Sequence, residues 1–164
     1  MARSYGRTLC AIWNDPDFLD LSVGAQHTYW MLTTQDNVSA CGSLPLTLRR
    51  WAGYLPDSDR DSFEDWLGEL SANRFIFIDE DTEELLIRTF VKHDGGHTNS
   101  KRLRAIDSAS IGLRSPILRQ VLAAELEKLG IEPKFTVSAD EYPIDTLSMP
   151  YVEKWNRRRV VVTK

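Results

Sequence analysis

The chain has 164 residues, 42% of them apolar and 27% charged, the size and composition of about one soluble globular domain. No apolar run approaches the ~18 residues of a membrane span, and Met1 to Arg7 lacks the apolar segment of a signal peptide, so the sequence predicts a cytoplasmic protein. The net charge of −4 hides a split. Residues 57–90 hold eleven acids against Arg60, Arg74 and Arg88, whereas residues 91–164 hold thirteen bases against nine acids. A basic last part suggests a polyanionic partner, set against the plainer reading of solvated surface charge.

In chain order, Thr8 to Trp13 reads as a short third strand or an extended arm. Leu21-Ser22 offers an N-cap for a helix running to Gln35, with Ala25, Tyr29, Leu32 and Trp30 as its inner side. Asp36 to Gly42 is turn chemistry. Leu44-Pro45 then marks a helix start with proline in the first turn, and Leu48, Trp51, Ala52 and Leu55 form its apolar stripe before Pro56. Ser58 or Asp59 caps the next helix, whose Phe63, Trp66, Leu67 and Leu70 repeat that spacing. Phe75–Ile78 and Leu85–Val91 are β-branched and aromatic runs around the polar Asp79–Glu84, a hairpin with a wide acidic tip.

After the glycine-containing loop His93–Asn99, Asn99 or Ser100 caps a helix to about Ile111. Ser115-Pro116 opens a second helix, which Gly130 ends. From Ile131 the periodicity is lost among Pro133, Pro143 and Pro150, which reads as an extended tail with a basic end. Helix, turn, helix and hairpin is the order of a winged helix. The predicted fold is therefore α+β: a winged-helix domain over residues 1–96 (three-helix core plus β-hairpin wing), a basic helical hairpin over 97–130, and an extended tail over 131–164.

Four stretches together resemble the winged-helix proteins of actinobacterial phages and prophages: Ile12-Trp13-Asn14-Asp15, Leu21-Ser22 with Ala25-Gln26, Leu86 to Asp94, and Arg114 to Arg119. The likeness covers roughly the first 130 residues and carries no catalytic signature. It implies a helix-turn-helix DNA-binding or replication-initiation-like protein in a bacterial host cell, and fixes no individual DNA contact.

The charges complicate that expectation. In an ordinary winged helix the second helix of the pair enters the major groove and the wing touches the backbone. Here both elements are acidic, which opposes docking on a polyanion. Candidate contacts with DNA, duplex ahead of single-stranded, therefore fall elsewhere: Arg49 and Arg50, then Lys92, Lys101, Arg102, Arg104 and Arg114, then Trp155 with Arg157, Arg158 and Arg159. The alternative is a protein-binding adaptor that offers Asp61, Glu64, Asp65, Glu69, Glu80 and Asp81 to a basic host or phage protein. Homo-oligomerisation stays open. His93, Asp94 and His97 lie close, but Gly95-Gly96 between the histidines argues for a loop rather than a metal site. With no phosphate-cradling loop or nucleophile elbow, the sequence predicts no enzyme, no cofactor and no metal. Trp13, Trp30, Trp51 and Trp66 read as core aromatics, and Cys10 and Cys41 as small buried residues.

Overall fold

A computed structural model describes residues 3–94, 97–138, 144 and 147–162. The chain enters as an arm whose Arg3 N–H donates to the Asp36 carbonyl at 3.2 Å. It then winds into a 3-10 turn at Cys10–Asn14, where a strand or extended arm was expected. Ile12 donates back to Leu9 and Asp15 to Ile12, so this short run closes on itself. Ile12 of this turn packs against the core, whereas both Cys10 and Trp13 remain exposed, contrary to their expected burial.

Helix α1, Pro16–Leu19, is capped by the Asp15 carboxylate. Helix α2, Val23–Thr33, starts at Ser22, whose Oγ accepts from the Ala25 N–H at 3.2 Å. Ala25, Tyr29 and Leu32 form its buried face. Strand β1, Ser43–Pro45, occupies the place where a helix start was expected. Pro45 lies on the sheet edge, where its missing N–H removes no ladder bond, and helix α3, Leu48–Ala52, begins beyond it. A 3-10 turn at Asp57–Ser62 runs into helix α4, Phe63–Ala72.

Strands β2, Ile76–Asp79, and β3, Glu84–Ile87, form an antiparallel hairpin in the register Ile76 to Ile87 and Asp79 to Glu84. β1 adds to the far side of β3, giving the order β1-β3-β2. The apolar run after the hairpin turn leaves the sheet at Ile87, because Phe90–His93 winds into a short helix, α5, closed by Asp94 N–H on the Phe90 carbonyl at 2.8 Å.

Helix α6, Ser100–Gly112, is capped by Asn99, and helix α7, Pro116–Lys128, by Ser115. Gly130, at φ +72°, ends α7 with the paired bonds of a Schellman motif: Gly130 to Glu127 and Ile131 to Leu126. The expected extended tail is instead a long helix in its last part, α8, Met149–Val162. Pro150 sits in the first turn of that helix, where proline is tolerated, so it does not disrupt the helix.

The continuous apolar character of the strands has a packing cause, since both faces of the sheet are covered. Ile76, Ile78, Leu85 and Ile87 pack with α2, α3 and α4 around Phe18, Trp51 and Leu67. Phe77 and Leu86, which alternate to the opposite face, pack with Ile106, Leu113, Val121 and Leu122 of the α6–α7 pair. The described residues thus build a mixed α/β unit of three layers: helices, a small antiparallel sheet, helices. Among them, no helix is long and apolar enough to cross a membrane.

Candidate nucleic-acid interface

The acidic face is occupied from within. α8 lies along α4 so closely that a Cβ at Gly68 would overlap the Tyr151 backbone carbonyl. Lys154 Nζ reaches Glu64 at 2.6 Å, and Arg158 pairs with Asp65. The Tyr151 hydroxyl donates to Glu80 at 2.9 Å, and burial together with that carboxylate pushes its pKa upward. Glu69 turns to the other side, accepting from the Ser22 N–H at 2.7 Å and from its Oγ–H at 2.6 Å. Ser22 in turn caps α2, so Glu69 holds two helices together. The Asp65 side chain is only 10% exposed, and burial raises its pKa although Arg158 and Lys154 pull it down. Of the six candidate acids, Asp61, Glu80 and Asp81 are exposed, Glu80 while accepting from Tyr151.

The basic candidates fall into three groups. Arg49 and Arg50 are exposed on α3, with Arg50 Nε donating to the Tyr54 hydroxyl at 2.9 Å. Arg114 is pinned to the hairpin: its guanidinium donates to the Thr82 carbonyl at 2.7 Å, and its backbone N–H donates to Glu84. In α8, Arg157 is exposed, Arg158 belongs to Asp65, and the Arg159 guanidinium lies 4.7 Å from the centre of the Trp155 ring. Trp155 itself is partly buried, its Cβ crowding Gly68. Lys92 is exposed on α5. Lys101 and Arg104 are exposed on α6, one turn apart. Arg102 turns inward and pairs with Asp94.

That pairing brings in two residues that the sequence reading did not single out. Arg3 reaches the same Asp94 carboxylate at 2.8 Å, with its guanidinium 5.1 Å from the centre of the Phe90 ring. Arg7 donates to the Asp94 carbonyl at 3.5 Å. The arm is held for this by the Arg3 N–H bond and by Gly6, where a Cβ would overlap the Thr34 side chain. No sequence signal foretold the cluster, because Arg3 and Asp94 are 91 residues apart and the arm has no periodicity. Burial lowers the pKa of Arg3 and of Arg102, and Arg102 is lowered further by repulsion from Arg3 and Arg7. Beside the cluster opens a cleft of about 440 Å³, lined among others by Arg7, Arg88, Lys92, His93 and Asp94. Arg88 is committed there, its guanidinium donating to Glu125 at 3.2 Å and to the Arg74 carbonyl at 2.6 Å. Burial, and then Lys92, lower the His93 pKa. His93 ends α5 and His97 lies beyond the glycines, and among the described residues no group of three His, Cys, Asp or Glu gathers as a metal site would require.

No known protein family, curated protein or solved structure matches the chain.

Proposed function

We propose that the chain is a winged-helix protein of phage type that associates with DNA without catalysing a reaction on it. It acts in replication initiation or transcription control in the bacterial cytoplasm. Support for the fold comes from the order of α2, β1, α3, α4 and the β2–β3 hairpin, with β1 paired to the returning strand of the hairpin. The observation that carries the function is the outward side of α6: Lys101 and Arg104 face solvent while Glu64 and Asp65 of α4 are taken up by α8. A backbone contact through α6 needs no base reading and leaves α4 outside the groove.

The test is a titration of labelled duplex and single-stranded DNA at two salt concentrations. Affinity for duplex that falls steeply with salt is expected, and Lys101→Glu combined with Arg104→Glu should remove it. Retained duplex affinity in that double variant refutes the assignment to α6. No binding at low salt favours the adaptor reading, in which a basic helical partner takes the place of α8 on Glu64 and Asp65; the packing of Lys154 and Arg158 on those acids supports that second reading.

A further inference from the structure

The region around Asp94 carries an imbalance that the acidic face does not. Among the described residues, three guanidinium groups from two distant segments converge on Asp94: Arg3 of the arm and Arg102 of α6 on its single carboxylate, and Arg7 of the arm on its backbone carbonyl. The Asp94 side chain is 4% exposed, those of Arg3 and Arg102 are 20% and 36% exposed, and Arg7 is exposed. Confining three like charges around one opposite charge is costly unless a second anion joins them. The first turn of α6 adds to the imbalance. It contains Lys101 and Arg102 and no acid, the reverse of what the helix dipole favours at that end. Local rules broken in this way, with the arm docked to enforce it, are what a binding site looks like before its ligand arrives.

We infer that Arg3, Arg7 and Arg102 form a phosphate-binding site, and that its ligand is a backbone phosphate of DNA running past the adjacent outer face of α6. The planar guanidinium fork suits a phosphate's paired oxygens better than an ammonium does. Arg7, the most exposed of the three and held among the described residues by a 3.5 Å bond to a backbone carbonyl, is the arm's free hand in this contact. Arg3 and Arg102 hold the floor of the site through Asp94. The identity of the phosphate's source rests on the proposed DNA association; the phosphate site itself does not.

The experiment compares wild type, Arg7→Gln, and the Lys101→Glu/Arg104→Glu double variant. Each is titrated with labelled duplex at two salt concentrations, and each is melted in inorganic phosphate and in chloride of equal ionic strength. Arg7→Gln is chosen because Asp94 keeps both Arg3 and Arg102, so its melt in chloride should be no lower than wild type, and higher to the extent that repulsion from Arg7 is relieved. The expected result is a loss of duplex affinity of about 3- to 10-fold, a salt slope shallower by about one, and loss of the stabilisation that phosphate confers on wild type. If Arg7→Gln keeps wild-type affinity, slope and phosphate stabilisation while the double variant loses duplex binding, the site is overturned and the DNA reading stands. If wild type binds no duplex yet is stabilised by phosphate through Arg7, the site stands with a free phosphate as its ligand and the DNA reading falls. Absence of both effects in wild type overturns both.

Discussion

α4 and α6 both present charged residues, and the chain treats the two sets oppositely. On α4, Glu64 meets Lys154, Asp65 meets Arg158 and Glu69 meets Ser22, so the acids are consumed in holding helices together. On α6, Arg102 shares one carboxylate with Arg3 while Arg7 reaches the backbone carbonyl of the same residue, and Lys101 and Arg104 project into solvent. Density of charge along the sequence is therefore a poor guide to a binding surface. What distinguishes a surface is charge left over after the fold has made its own pairs.

Substitutions can break that contrast at its structural end. The largest effect belongs to Gly68→Ala. Helix propensity alone favours alanine by about 1 kcal/mol, so any loss reports the close approach of Tyr151. A net loss of about 2–3 kcal/mol in urea unfolding is expected, and a variant as stable as wild type would mean that α8 does not rest on α4. Glu69→Ala should follow at about 2 kcal/mol by thermal melt, because the Ser22 N–H loses its acceptor, while duplex affinity stays at the wild-type level. An accompanying change in affinity would make Glu69 part of the surface after all.

Arg158→Ala is smaller, about 1 kcal/mol, since Arg158 is half exposed. Its sign with pH is distinctive. Burial raises the folded-state pKa of Asp65 above its ordinary 3.8, so the folded state loses stability as pH rises past that value, and removing Arg158 deepens the loss. The variant's deficit should therefore be greater at neutral pH than near 3.8, read from paired melts. The smallest effect concerns His93. With its folded pKa held below 6.5, first by burial, the unfolded chain takes up a proton more readily. Stability should fall as pH drops from 6.5 toward the lowered value, and His93→Gln should flatten that fall; identical pH profiles for the two proteins would show that His93 is not desolvated.

Helix ends were the most legible part of the fold, because caps are local chemistry. Ser22, Asn99, Ser115-Pro116 and Gly130 mark helix ends where the sequence suggested them, whereas Ser58 and Asp59, expected to cap α4, lie inside the 3-10 turn that precedes it. Proline was harder to read. Pro45 resembles a first-turn proline but lies on a strand edge, whereas Pro150 resembles a breaker but sits in the first turn of α8. Tyr151, Trp155 and Arg158 have the spacing of one helical face, a signal obscured by the prolines upstream. For the site, Lys101, Arg102 and Arg104 were visible as a run, but which of them turns inward depends on Asp94 and on an arm that periodicity does not describe.

Ser148, at φ +62°, stands just before α8 and matches the outer side of β2 atom for atom: its Oγ accepts from the Ile78 N–H at 2.8 Å and its own N–H donates to the Ile78 carbonyl at 2.9 Å. An edge strand with free amide groups is a template on which another polypeptide can lengthen the sheet. With Ser148 bound at the centre of β2 and Pro45 on β1 at the opposite margin, both open ends of this sheet are blunted. The residue that seats the last helix thereby also guards the protein against strand-to-strand aggregation, and a truncation before Ser148 would expose an apolar β2 to self-association.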